Sequence, residues 1–243
     1  MQGYLTDLAY IHDAGHGGYS LNAAAGLLRI LRSRGVTSGL IVDLGCGSGH
    51  WARELNRAGY RVLGIDQSPS MIRLARKKAP AAKFHVASFH AVPLPPCDGV
   101  TSIGECLNYR FDKRNGRRAM ARLFRRVYAA LRPGGVFIFD LAGPGRMTTK
   151  VPQAHWKEGS DWAVLVSSQA DSRDRFLTRR IIAFRKAGRL YRRSEEIHHL
   201  ELYRPADLVQ ALVQCGFQCR ALSAYGRFRL PPGMAAIVAI KPF

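Results

Sequence analysis

The run Asp43-Leu44-Gly45-Cys46-Gly47-Ser48-Gly49 sets a carboxylate and three alternating glycines directly after the β-branched pair Ile41-Val42. A strand that ends this way must turn sharply, and glycine alone lets a ligand come close to the turning backbone. A helix expected to begin near His50 would aim its N-terminal amides into the same space. About twenty residues on, Arg61-Val62-Leu63-Gly64-Ile65 ends at Asp66, whose carboxylate stands where it can accept both hydroxyls of a ribose. Two strand ends therefore converge on one nucleoside, and the chemistry they offer is the binding of an adenosine-containing cofactor.

Glycine spacing narrows the choice. In the dinucleotide fingerprint the third glycine follows the second by three residues, making room for a pyrophosphate. Here Gly49 follows Gly47 by two. Asp43 would repel a diphosphate but suits a ligand with cationic groups, such as the ammonium and sulfonium of S-adenosylmethionine. In these residues the chain resembles the class I S-adenosylmethionine-dependent methyltransferases of the small-molecule type, whose first motif reads acid-x-Gly-x-Gly-x-Gly. The likeness extends over about residues 40 to 140. It takes in the cap and proline of Gln67-Ser68-Pro69, the strand end Val86-Ala87-Ser88-Phe89, the entry Leu94-Pro95-Pro96-Cys97-Asp98 and the turn Leu131-Arg132-Pro133-Gly134-Gly135.

The resemblance implies an α/β fold: a Rossmann-like seven-stranded sheet of order 3-2-1-4-5-7-6, last strand antiparallel, helices on both faces, and an antiparallel β insertion after strand five. It implies S-adenosylmethionine as cofactor, S-adenosylhomocysteine as product, and a methyl group passed to an oxygen or nitrogen of a small-molecule acceptor. By position, the cofactor residues would be Asp43, Gly45, Cys46, Gly47 and Gly49, then Asp66, Gln67 and Met71, then Ser88, Phe89 and Gly104. Many members carry an aspartate after strand three for the adenine amino group. Ser88 stands there in this chain, so adenine recognition passes to Phe89 and backbone groups.

Methyl transfer is an in-line displacement that mainly needs alignment and exclusion of water. The crevice of such sheets lies at the carboxyl ends of the strands where strand order reverses. Strand four ends there in Gly104-Glu105-Cys106-Leu107-Asn108-Tyr109, with Glu105, Asn108 and Tyr109 expected to border the methionine moiety and the acceptor. The candidate catalytic groups are Glu105, Tyr109 and His16, with His12, His198 and His199 as further candidate bases. Each has a plainer reading: Glu105 as a partner for the cofactor's ammonium, His12 and His16 as loop histidines bonded to glycine backbone. Glu196 and His198 share one strand face, Glu195 and His199 the other, and the pattern leaves open which face meets the pocket. No metal site is expected; Cys215 and Cys219, like Trp51, Trp156 and Trp162, read as packing residues. An Asn/Asp-Pro-Pro-aromatic motif, which holds a flipped base at this strand end, is not present, since Pro95-Pro96 precedes the strand.

The elements that must position these groups form a single domain over 1–243. Residues 1–35 are an N-terminal lid and helix, 1–19 reading as a polar-aromatic loop and Ser20 to Arg34 as a helix ended by Gly35. Residues 40–141 are the cofactor-binding core, with a helix over Asn115 to Leu131 before strand five. From about 150 to 203, Trp162 to Gln169, Arg175 to Arg185 and Leu190 to His199 alternate apolar and polar residues, an antiparallel ribbon expected to cap the acceptor pocket. Residues 204–243 hold a short helix, Pro205 to Cys215, and strands at Phe217 to Tyr225 and Met234 to Lys241.

With 37 Lys+Arg against 17 Asp+Glu, the formal net charge is +20. Such a surface steers polyanions towards it, which keeps open an anionic acceptor or an RNA methyltransferase. Basic runs such as Arg73 to Lys78 and Lys113 to Arg126 also fit solvated faces. A non-catalytic cofactor-binding scaffold subunit is the third reading. No apolar run approaches a bilayer span and no basic-then-apolar leader opens the chain, so membrane insertion is not expected and a cytoplasmic location is. The odd count of five cysteines points to free thiols.

Overall fold

The computed structural model of the protein describes residues 3–112, 115–147 and 152–243. Two helices lead in, Thr6–His16 (α1) and Gly18–Ser33 (α2). Strands and helices then alternate: Leu40–Leu44 (β1), His50–Arg57 (α3), Arg61–Asp66 (β2), Pro69–Lys78 (α4), Lys83–Val86 (β3), Cys97–Ser102 (β4), a 3₁₀ turn at Cys106–Asn108, Arg117–Ala130 (α5) and Leu131–Ala142 (β5). Four long strands follow, Gln153–Gly159 (β6), Trp162–Ala170 (β7), Phe176–Ala187 (β8) and Leu190–Glu201 (β9). The chain closes with Pro205–Val213 (α6), Gln218–Leu222 (β10), the small hairpin Ala224–Tyr225 (β11) and Phe228–Arg229 (β12), and Met234–Ile240 (β13).

The seven-stranded sheet runs β3-β2-β1-β4-β5-β13-β10, with β13 antiparallel to both neighbours, which is the order that the family resemblance implies. β1 lies at its centre because Ile41, Val42 and Leu44 are apolar on both faces and fully buried. Period two in β5 divides the core: Val136 and Ile138 pack under α2, α3 and α4 with Leu27, Leu31, Trp51, Leu55 and Ile72. Phe137, Phe139 and Leu141 pack on the other face against Leu123, Phe124 and Val127 of α5 and Leu208 and Leu212 of α6. α4 starts where its sequence directs, with Pro69 at the first turn and Ser68 Oγ accepting from Met71 N at 3.2 Å.

Two expectations need correction. The segment before Ser20 is a helix, α1, rather than a loop. Its buried Leu8 and Ile11 pack on Trp162, Val164, Ile181 and Ala183 of the second sheet, a surface the local sequence does not contain. Its glycines serve close approach, not looseness: a Cβ on Gly15 would stand 2.7 Å from the Trp162 ring, and one on Gly17 2.3 Å from His50. The insertion is a four-stranded antiparallel sheet, β6-β7-β8-β9, rather than a three-stranded ribbon. Its extra member, β6, is an edge strand with every residue exposed, and Trp156 at 68% exposure is not a packing residue. Trp51 and Trp162 are buried. Lys113 and the start of the expected insertion at 150 lie outside the described residues. Among the described residues no helix is long and apolar enough to cross a membrane, and all five cysteines are free.

Candidate active site

The loop after β1 turns through three left-handed glycines, Gly45 (φ 73°), Gly47 (φ 53°) and Gly49 (φ 80°). Each is held there for a different reason. A Cβ on Gly45 would meet the Cys106 side chain at 2.7 Å, and one on Gly49 would press Ala75 of α4 at 3.0 Å. At Gly47, as at Gly104 (φ 93°) after β4, an added Cβ meets no protein atom within 4 Å. The backbone there borders cleared space. Asp66 fastens the loop, its Oδ2 accepting from Gly47 N at 2.9 Å and its Oδ1 from Ser68 N at 2.8 Å. Asp43 lies beneath, its Oδ1 accepting from Thr101 Oγ1 at 2.7 Å, and burial pushes its carboxyl up to about 7.

The turn after β4 carries the strain. Glu105 is a non-glycine residue in the left-handed region (φ 54°), held by a carboxylate from the neighbouring strand. Asp140 Oδ1 accepts from Gly104 N at 2.8 Å and Glu105 N at 2.6 Å, while its Oδ2 accepts from Tyr19 Oη at 3.0 Å and Tyr225 Oη at 3.1 Å. Burial pushes Asp140 up to about 6 in spite of these four donors. The fixed turn presents Glu105 to Arg179 of β8, which ion-pairs with its Oε1 and also donates to Tyr109 Oη at 3.2 Å. Arg146 Nε stands 3.8 Å from Glu105 Oε2.

α1 and the inner face of the second sheet close the cleft from the other side. Tyr4 reaches Tyr109, Oη to Oη 3.1 Å, and its ring stands edge-on to His12 and to Phe111. The N-terminus of α1 is clasped by Glu196 of β9, which accepts from Tyr4 N at 2.7 Å and Leu5 N at 2.8 Å and lies 2.8 Å from His198 Nε2. Farther along α1, Asp13 meets His50 Nε2 at 2.9 Å and also bonds Lys78, tying the helix to α3 and α4. His12 lines the cleft, stacked on His16 with ring centroids 5.6 Å apart; burial first, and His16 next, bring its pKa down to about 3. These walls enclose a cleft of about 510 Å³.

Residues 41–135 match the family described as methyltransferase domain. The chain is 26% identical over 194 residues to a protein of Geobacillus sp. (strain WCH70) named only as a methyltransferase, with 76% of each chain covered. The chain carries a methyltransferase domain, and its fold is that of the class I S-adenosylmethionine-dependent methyltransferases. Its fold matches the sugar N-methyltransferase KedS8 from Streptoalloteichus sp. ATCC 53650 at TM-score 0.77 and 21% identity, over 100% of this chain and 95% of that one. It equally matches CalS10, an amino pentose methyltransferase from Micromonospora echinaspora solved with S-adenosylmethionine bound, at TM-score 0.77 and 18% identity over 99% of each chain. The residues present suit that cofactor: two glycines clear space for it, and acids gather where its cationic groups would lie.

In this methyltransferase the cleft collects Asp43, Gly45, Cys46, Gly47, Asp66, Gln67, Met71, Ser88, Phe89, Gly104, Glu105, Tyr109 and His16 from the sequence reading. Gly49 is set back as the residue that starts α3. Asn108 does not border the cleft; it is fully buried, donating to Ala142 O at 2.8 Å and Glu201 O at 2.6 Å, so that it stitches the turn to the ends of β5 and β9. His199 faces outward against Thr178 Oγ1 at 3.2 Å, and His198 lies buried among Tyr4, Tyr109 and Phe111. Sequence reasoning missed Tyr4, Asp112, Arg146 and Arg179. Asp112 bonds Ser88 Oγ, so a carboxylate does stand beside the end of β3, supplied from the loop after β4. Arg179 could have been found only from its strand parity, once a cleft-facing row was known.

Proposed function

We propose that this methyltransferase passes the methyl group to an oxygen or nitrogen of a small-molecule acceptor held between the turn after β4 and the β6–β9 sheet. The observation that carries this reading is enclosure: α1 and the inner face of that sheet roof the cleft opposite the glycine loop, leaving about 510 Å³. Such a chamber suits a small molecule better than a nucleic acid, and the likeness to KedS8 and CalS10 favours the same class. In this reading residues 1–35 supply the lid, 40–141 the cofactor half, about 150–203 the cap over the acceptor, and 204–243 the sheet edge.

When bound, S-adenosylmethionine supplies a methyl on a positively charged sulfur; the S–CH₃ bond breaks as the new O–CH₃ or N–CH₃ bond forms, leaving S-adenosylhomocysteine. Asp66 would accept the ribose hydroxyls, and Met71, Ser88 and Phe89 would flank the adenine. Gly104 leaves room beside the reacting centre, while Glu105 and Tyr109, both held by Arg179, orient the groups that meet there. The His12 ring, kept neutral by burial and with Nδ1 lacking a hydrogen bond, is suited to orient the acceptor through a hydrogen bond rather than to carry its proton, with His16 stacked behind it. Free thiols favour a reducing compartment, the cytoplasm.

Calorimetric titration with S-adenosylmethionine, S-adenosylhomocysteine and NAD tests the cofactor half. Micromolar binding of the first two without NAD is expected; binding of NAD alone would overturn the reading. Release of S-adenosylhomocysteine with small hydroxyl or amine acceptors, but not with RNA, tests the acceptor half.

A further inference from the structure

We propose that the acceptor bears an anionic group, a carboxylate or a phosphate, which docks on Arg146 and Arg179 beneath the roof sheet. This rests on the small-molecule methyltransferase reading and names the substrate class of that site. The cross-strand register aligns Gln153, Ser168, Arg179 and His198 in one polar row across β6, β7, β8 and β9. Apolar rows flank it, Val166 with Ile181 on one side and Leu177 with Leu200 on the other. Gln153, Ser168 and Arg179 of that row line the cleft. A polar stripe between these apolar pairs, in a ceiling whose Val166–Ile181 row ends in His155 and Glu196, is a recognition feature, because packing alone would favour apolar residues there.

Charge gives the stripe its sign. Arg179 spends Nη1 on both Glu105 and Tyr109, and Arg146 Nε is buried with no hydrogen-bond partner, 3.8 Å from a Glu105 Oε2 that also lacks one. Two guanidiniums thus face one carboxylate, leaving a surplus positive charge in a partly desolvated chamber. Asp43, Asp66, Asp112 and Asp140 lie on the cofactor side, each already holding a donor of its own. Among the described residues Glu196 is the one acid on the roof's inner face, and it is taken by the amides of Tyr4 and Leu5 and by His198. A cofactor whose sulfonium and ammonium outweigh its one carboxylate adds a net positive charge. An oxyanion from the acceptor balances this field and matches the guanidinium fork; an ammonium would be repelled.

The test uses the full chain loaded with S-adenosylhomocysteine and ligand-observed NMR titration of probe triplets that share a ring and differ in charge. These are glucose 1-phosphate, glucose and glucosamine, and cyclohexanecarboxylate, its amide and cyclohexylmethylamine. The anionic member of at least one triplet is expected to bind about tenfold tighter than its neutral partner, the worth of one charge-assisted hydrogen bond. The triplet that responds tells carboxylate from phosphate. Arg146→Gln should abolish that preference while S-adenosylhomocysteine affinity stays at its original value. Equal or better binding of the neutral or ammonium probes, no binding of any probe, a preference that survives Arg146→Gln, or loss of cofactor affinity in that variant would each overturn the proposal. Failure of the unaltered protein to bind S-adenosylhomocysteine would instead overturn the reading on which it rests.

Discussion

Replacing Gly47 with alanine separates the strain of the loop from the space it guards. The residue sits at φ 53°, and its missing Cβ points where no protein atom lies within 4 Å. In the free protein Gly47→Ala should therefore cost only the left-handed penalty of an L-residue, about 1 to 2 kcal/mol. Gly59→Ala is the matched control, at φ 92°, equally open around its Cβ and away from the cleft. Both variants should lose similar stability in denaturant titrations. If the open space is the cofactor's, the added methyl overpacks the complex by about 1 to 3 kcal/mol, weakening S-adenosylhomocysteine by about 5- to 150-fold. Gly59→Ala should bind as the unaltered protein does. Calorimetry on the pair decides: equal affinities for Gly47→Ala and Gly59→Ala would refute the assignment of this space to the cofactor.

Asp43 should make stability and binding respond to pH in opposite senses. Its carboxyl is raised by burial to about 7 from an unfolded value near 4, so between those values the native state binds more protons than the unfolded state and stability falls as pH rises. A cationic cofactor favours the ionised form, so affinity for S-adenosylmethionine should climb up to about pH 7, with protons released on binding at pH 6 in calorimetry across two buffers; a flat profile, or one unchanged by Asp43→Asn, would count against this. Glu196→Ala strips the acceptor from two amides at the start of α1 and from His198, at about 1 to 3 kcal/mol for each group left buried and unpaired. Amides of α1 should then exchange faster with deuterium, and S-adenosylhomocysteine should dissociate faster. If the off-rate held while exchange rose, α1 would not be a lid.

The three-glycine loop, the acid that ends β2 and the turn into β5 were legible in the sequence, because each depends on contacts within a few residues or on strict periodicity; the sheet order came only with the family resemblance that these motifs carry. A positive φ demands glycine wherever it occurs, and a strand buried on both faces reads as an apolar run. The opposite wall of the cleft was not legible, because its residues meet only when separate elements pack together. Arg179 and Glu105 are 74 residues apart, and Tyr4 and Glu196 are 192 apart. Alternation in β9 showed that Glu196 and His198 share a face, yet only α1 settling on the second sheet made that face the inner one. α1 itself escaped notice because its apolar stripe is short and its glycines look like loop residues until Trp162 and His50 stand against them. Local stereochemistry thus wrote the glycine-loop wall of the cleft into the chain, while the facing wall, with Tyr4, Arg146 and Arg179, arose only when two sheets and a helix closed on one cavity.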